Sequence, residues 1–237
     1  MDITDKVVLI TGASSGIGAA TARAAGEAGA RLVLAARRAD RLHALADELP
    51  DALAVSCDVT EPAQVRAAVQ AGVDRYGRID VLVNNAGQGL HLPLTQVNAA
   101  DFRAVLDLNV VAPLVAMQAV LPVMQAQKSG VIINVSSATT RKVFPGLGAY
   151  AASKAALNML SATARRELAA DGITVSTVLP FVTATEFHQA LRAGHVVPAA
   201  ASFPVHSADH VAATILDLIH AGNAETSLLP ESLTTAH

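Results

Sequence analysis

Short runs of Val, Ile and Leu recur along the chain between longer Ala-rich stretches whose apolar residues repeat every three to four positions. The apolar runs are 6–11, 31–36, 52–57, 79–84, 131–136 and 173–179, with a weaker seventh at 226–229. Most are apolar throughout instead of alternating, the pattern of parallel strands covered on both faces. The periodic stretches, 16–28, 39–49, 62–76, 100–127, 150–170 and 207–221, predict helices. Such alternation builds right-handed βαβ units. The expected fold class is α/β: a Rossmann-type doubly wound parallel sheet of about seven strands with helices on both faces. No linker, repeat or low-complexity stretch divides it, so residues 1–237 are read as a single domain.

Two segments break the rhythm. Residues 85–98 carry Gly87, Gly89, His91 and Pro93. Residues 180–204 are longer and contain Phe181, Phe187, Leu191, Val196, Val197 and Phe203. Both follow strands, so both belong to the carboxyl edge, where open α/β sheets bind ligands. Residues 181–205 are the expected substrate-binding loop.

Composition narrows the class. Hydrophobic residues make up 52% and charged residues 16%, with aromatics at 3% and no Trp, so the core is aliphatic. The surplus of apolar helix surface points to a homodimer or homotetramer. A net charge of −3, with no basic run longer than Arg37-Arg38 or Arg165-Arg166, excludes nucleic acid as an expected partner. Cys57 is the only cysteine, which excludes an intrachain disulfide and a cysteine-based metal cluster; a small buried hydrophobe at a strand end is its expected role. The start, M-D-I-T-D-K, has no basic stretch followed by an apolar one. The most apolar helix, around 110–124, is interrupted by Pro113, Gln118 and Pro122 and reads as too short to span a bilayer. A cytoplasmic protein without a membrane partner is expected.

Gly12, Gly16 and Gly18 stand in T-G-A-S-S-G-I-G (11–18), between a strand and a helix. A turn without side chains lets the backbone approach a pyrophosphate, and the following helix offers free N–H groups and its positive dipole end. The same letters fit G-x-S-x-G, the nucleophile elbow of hydrolases. An elbow after the first strand leaves no earlier strand for an oxyanion loop, which argues against that reading. At the end of the second strand, Ala36 stands where an acidic group would bind the ribose 2′-hydroxyl, and Arg37 follows. A neutral side chain beside a guanidinium suits a 2′-phosphate, with Ser14 and Ser15 as further donors. NADP(H) is therefore expected in preference to NAD(H), although NAD(H) remains possible.

Tyr150 and Lys154 lie one helical turn apart in A-Y-A-A-S-K-A-A-L, and Ser137 lies upstream. Chance would place a Lys four residues after some Tyr in this chain only about 3 times in 100. A phenol has a reference pKa of about 10. A nearby ammonium is expected to lower it, fitting the pair for proton exchange with an alcohol or ketone.

Together these residues give a resemblance. The chain resembles the short-chain dehydrogenases/reductases over nearly its whole length, through T-G-A-S-S-G-I-G, C-D-V (57–59), N-N-A-G (84–87), Asn109, V-S-S (135–137) and Y-x-x-x-K (150–154). The resemblance implies that Gly12, Ser14, Ser15, Gly16, Ile17, Gly18 and Arg37 hold the cofactor's phosphates, while Asp58 and Val59 hold the adenine. It implies that Asn84, Ala86 and Gly87 let the cofactor pass close to the backbone. Tyr150 would be the general acid/base, and Lys154 would bind the nicotinamide ribose. Ser137 would hydrogen-bond the substrate oxygen, and Asn109 would bend its helix and hold a relay water. Pro180, Val182, Thr183 and Thr185 would face the nicotinamide. The implied activity interconverts a small-molecule carbonyl compound and an alcohol by hydride transfer.

Two departures stand out: Phe181 follows Pro180 where the family usually has Gly, and the C-terminus lacks the glycine-rich ending common in the family. Gln88, Leu90, Phe144, Leu147, Phe181 and Phe187 are the expected apolar pocket. His206 and His210 are four apart with Asp209 between them, but Ser207 is expected to cap the next helix and leave them near solvent, so no metal is assigned. His91, His188 and His195 fall in the loops at the ligand edge. The rival function is an NADP(H)-binding redox sensor with little turnover, whose signature would be a missing Tyr or Lys.

Overall fold

In the computed structural model, which describes residues 1–195 and 203–234, each apolar run becomes a strand. These are β1 (Val7–Thr11), β2 (Arg31–Ala36), β3 (Ala52–Ser56), β4 (Val81–Asn84), β5 (Gly130–Val135), β6 (Ile173–Leu179) and β7 (Glu225–Ser227). All pairings are parallel, and the sheet order is β3-β2-β1-β4-β5-β6-β7. The doubly wound expectation therefore holds. Residues alternate between two cores: Val8, Ile10, Leu32, Leu34, Val81 and Val83 face one side, whereas Val7, Leu9, Val33 and Leu82 face the other. Continuous apolar runs arise because both faces are covered.

The helices are α1 (Gly16–Glu27), α2 (Ala39–Asp47), α3 (Pro62–Tyr76), α4 (Ala99–Leu106), α5 (Ala112–Gln127), α6 (Gly148–Glu167), α7 (Ala208–Ala221) and the short α8 (Glu231–Thr234). Ser207 caps α7 as expected, accepting a hydrogen bond from the His210 N–H. Where one helix over 100–127 was expected, a π-helical turn at Asp107–Val111 joins α4 to α5. Pro113 has no N–H to give to the Asn109 carbonyl four residues back, and the ladder widens there.

The helical run Ala99–Gln127 is thus 29 residues long. By length and composition it could cross a membrane, which corrects the reading that it is too short. Its inner face, with Ala112, Ala116, Met117, Val120 and Met124, is packed into the sheet's core. Cys57, just past β3, is buried as expected, and burial, followed by the Asp58 charge, pushes its thiol up to about 11. Val196 and Val197 of the second loop lie outside the described residues.

Candidate active site and cofactor cleft

The chain winds outward from β1 to β2 and β3, then crosses back to β4, so the loops after β1 and β4 diverge. A crevice at the carboxyl edge results from this topology, and a cleft of about 650 Å³ occupies it. Its floor is Gly12 and residues 14–17. One end is closed by residues 36–38 and 57–60, and the other by Ser137, Tyr150 and Lys154 with residues 180–183, Phe187 and His188, while Thr185 and Glu186 reach across to Gly16 and Arg38. Residues 85–88 and His91 form the side. Most sequence-selected residues therefore meet here: Ser14, Ser15, Ile17, Arg37, Asp58, Val59, Ala86, Gly87, Pro180, Val182, Thr183 and Thr185 all line the same cleft.

The glycine turn requires its glycines for two different reasons. Gly12 and Gly16 have φ of 66° and 55°, a region that side chains disfavour. A Cβ on Gly12 would also lie 2.9 Å from the Ala86 Cα. Gly18 does not line the cleft. A Cβ there would strike the Gly12 carbonyl and lie 2.5 Å from Asn85 Nδ2, so this glycine permits packing between turn and helix. Ser15 at the N-cap of α1 makes no side-chain cap. Its hydroxyl accepts from Arg38 instead, at 2.5 Å, leaving the first N–H groups of α1 without a side-chain partner.

The Asn84 side chain turns into the sheet and braces its edge. At the end of β4 it shares the face of Leu82 by strand alternation, and its amide donates to Asn134 Oδ1 at 2.9 Å and to the Pro113 carbonyl at 3.4 Å. Asn85, which the sequence reading passed over, lies at the cleft. Its Nδ2 donates to the Thr11 and Gly12 carbonyls at 3.0 and 3.2 Å, and its N–H donates to the Thr11 hydroxyl at 3.0 Å. Asn85 thus fastens the glycine turn to the loop after β4. The two-residue alternation of β4 carried the signal that separates the two asparagines.

The basic end also differs from the simplest reading. The Arg37 side chain is 74% exposed and stands 4.0 Å from Asp58. Arg38 lies across the turn instead, donating to the Ser14 hydroxyl at 3.1 Å and to Ser15. Glu186 of the second loop accepts from Arg38 at 3.1 Å and from Arg41 at 2.7 Å. These two guanidiniums, Arg41 first, hold the Glu186 carboxyl below the ordinary carboxylate range. Because Arg38 occupies the Ser14 hydroxyl, this is not the setting of a hydrolase nucleophile. Burial alone would raise the Asp58 carboxyl, but two hydrogen bonds from Thr60, helped by Arg37, hold it below its ordinary value.

At the other end, α6 presents Tyr150 and Lys154 on one face, with Tyr150 7% and Lys154 4% exposed. The Thr139 hydroxyl donates to Ser137 at 2.9 Å, and Ser137 in turn hydrogen-bonds the phenol. Lys154 Nζ donates to the Val135 carbonyl at 2.9 Å. The expected lowering of the phenol by the ammonium is not found. Burial pushes Tyr150 up to about 12, opposed only by the Ser137 hydrogen bond, and burial pulls Lys154 down to about 8. Desolvation disfavours both charged forms.

Asn109 is fully buried behind the cleft wall. Its Oδ1 accepts from the Gln88 N–H at 3.0 Å, and its Nδ2 donates to the Gln88 carbonyl and the Ser153 hydroxyl. Both amide hydrogens are engaged within the protein. It ties the bend in α4–α5 to the loop after β4.

Phe181, the departure after Pro180, packs against Phe203 and Phe144 with ring centres 5.2 and 6.1 Å away, forming an aromatic wall of the cleft. His206 pairs with the second loop through its backbone: its N–H donates to the Val182 carbonyl, and its carbonyl accepts from the Ala184 N–H. Its ring stacks on His210. Among the described residues no group of three His, Cys, Asp or Glu could hold a metal ion.

Comparisons with known proteins agree with this geometry. Residues 6–195 match the family described as short chain dehydrogenase. The chain is 40% identical over 189 residues to an uncharacterized oxidoreductase of Staphylococcus saprophyticus, covering 78% of this chain and 77% of that protein. It is 39% identical over 182 residues to one of Listeria monocytogenes, covering 75% and 73%. Among solved structures, it resembles a short chain dehydrogenase/reductase of Burkholderia phymatum in complex with NAD, with a TM-score of 0.90 at 27% identity over 99% of this chain and 92% of that one. It also resembles a 3-ketoacyl-(acyl-carrier-protein) reductase of Brucella melitensis complexed with NADH, with a TM-score of 0.88 at 26% identity over 95% and 97%.

Proposed function

The chain belongs to the short-chain dehydrogenase family, oxidoreductases acting on CH–OH groups, and we propose that it reduces a small to medium, mostly apolar carbonyl compound with NADP(H), Tyr150 serving as general acid. The observation that carries this reading is one continuous cleft joining a glycine turn to a buried Tyr–Ser–Lys cluster. The cleft fits a dinucleotide: the bare backbone at Gly12 and Gly16 and the uncapped start of α1 suit a pyrophosphate. In this reading Asp58 and Val59 hold the adenine, Lys154 the nicotinamide ribose, and Pro180, Val182, Thr183 and Thr185 the nicotinamide. Gly18, Asn84 and Asn109 shape the site from behind. Once bound, the nicotinamide supplies the hydride.

The protein's part is to bind, orient and deliver a proton. A phenol pushed up to about 12 keeps its proton at neutral pH. A developing alkoxide is about as basic as hydroxide, whose conjugate acid has a pKa of about 15.7, so proton donation from Tyr150 is still downhill. Reduction is accordingly the direction that the protonation state of the site favours. The test is NADPH consumption against a panel of ketones, aldehydes and diketones; loss of NADPH only when a carbonyl compound is present is expected, and its absence across the panel would refute the reading.

NADP(H) preference rests on Ala36 and the guanidiniums beside it, with Arg38, bonded to Ser14 and Ser15, as the main partner of a 2′-phosphate and Arg37 as its neighbour. Glu186 must release Arg38 for that pairing to form. Arg38→Leu is therefore expected to weaken NADPH binding about ten-fold or more while leaving NADH binding within about three-fold, since a charge-assisted hydrogen bond contributes about 1.5–3 kcal/mol. Equal losses for both cofactors in binding titrations would contradict this assignment. A homodimer or homotetramer would cover apolar surface such as Val111 and Met159, which are 46% and 70% exposed; a monomer at all micromolar concentrations in sedimentation would exclude it.

A further inference from the structure

At the tyrosine end of the cleft, two polar side chains have unmatched hydrogen-bonding capacity. The Nδ1 atoms of His91 and His188 are shut away from solvent and have no hydrogen-bond partner among the described residues, and both residues line the cleft. His91 is 8% exposed. Its backbone is fixed by a hydrogen bond from its N–H to the Ala193 carbonyl at 3.0 Å. It stands edge-on to Tyr150 at 6.0 Å between centres, and His188 stands edge-on to it at 5.9 Å. A neutral imidazole holds one ring proton, and with that proton on Nε2 the His91 ring presents a bare lone pair at Nδ1.

A buried polar atom without a partner costs about 1–3 kcal/mol. A leucine would fill much the same space without that cost. The orphaned nitrogens beside the reacting group therefore point to a partner that arrives with the substrate. We propose that His91, supported by His188, anchors a hydroxyl group of the substrate, and that the substrate class is α- or β-hydroxycarbonyl compounds. The inference rests on the reductase reading and adds to it the polar group that the apolar pocket lacks. The two rings are neighbours, with centres 6.0 Å apart, so a short hydroxyketone is the simplest substrate to meet both. Burial, with His188 second, pulls His91 down to about 4, and burial lowers His188 as well. Both rings are thus neutral near pH 7 and suited to a neutral hydroxyl rather than a carboxylate.

The test compares kcat/KM for 1-hydroxy-2-butanone and 4-hydroxy-2-butanone with that for 2-butanone, using NADPH. The wild-type protein is expected to prefer at least one hydroxyketone about ten-fold or more, the worth of relieving one buried orphan. In His91→Phe the ratio should fall to near one, whatever the absolute rates. In His91→Asn, whose amide oxygen lies near the place of Nδ1, most of the preference should return. His188→Phe gives the same reading of the ratio should the first variant fold poorly. Equal use of all three ketones by the wild-type protein, or an undiminished preference in both Phe variants, overturns the anchor while the reductase reading stands. Turnover of none of them, with no carbonyl compound of the wider panel reduced, overturns the reductase reading and the anchor with it.

Discussion

Tyr150→Phe is expected to lower kcat/KM for carbonyl reduction about 10³-fold, within the range that a positioned general acid contributes. The ring itself stays. It packs edge-on against His91 and lies 5.8 Å from Phe187, so the variant loses one hydroxyl and its bond to Ser137 but no packing volume. Folding stability should change by no more than about 1 kcal/mol, the net worth of one hydrogen bond. NADPH binding should be nearly unchanged, because the phosphate end is held by the glycine turn and α1. The informative pattern is the split: turnover almost lost, cofactor titration almost intact. Retention of a tenth or more of the wild-type activity would remove Tyr150 as the acid. Equal collapse of binding and turnover would mean that the ring positions the cofactor.

Which parts of this site could be read from the sequence follows from the range of the interactions involved. The strands were legible because burial on both faces writes continuous Val, Ile and Leu runs, and β2 and β6 begin and end at the expected residues. The glycine turn and the Tyr–Lys pair were legible because each is a local spacing within one element. What was lost depends on side chains meeting from distant segments. Arg38 and Arg37 are neighbours in sequence, and only the approach of Ser14, Ser15 and Glu186 distinguishes them. The π turn at Asp107–Val111 was written locally, in the spacing of Pro113 to Asn109, yet a proline near a helix start has no unique reading. The reversed order of electrostatic effects at Tyr150 was the least accessible, since one turn of separation states proximity and says nothing about how deeply the pair is buried.

That burial makes Lys154 the site of the second large effect. Removing its charge with Lys154→Met should lower kcat/KM about a hundred-fold or more, the scale of losing one preorganised electrostatic group, and should weaken cofactor binding, which Tyr150→Phe does not. It should also stabilise the cofactor-free protein. In the folded chain Lys154 falls from 10.5 to about 8; at about 1.4 kcal/mol per unit, keeping it charged at pH 7 costs about 3 kcal/mol. The Met variant forgoes the bond to the Val135 carbonyl, worth about 1 kcal/mol, so a net gain of about 1–2 kcal/mol is expected. The sign of the pH dependence follows from linkage. Between about pH 8 and 10 the unfolded chain binds more protons at this lysine than the folded one, so wild-type stability rises with pH. Above pH 10 the order is reversed at Tyr150, which keeps its proton up to about 12 when folded, and stability falls. Denaturant titrations of cofactor-free protein at pH 7 and pH 9.5 should therefore show the Met variant ahead at the lower pH and its advantage shrinking at the higher. A Met variant less stable than wild type at pH 7 would mean that the buried ammonium is well compensated, and the desolvation argument for both residues would fail together.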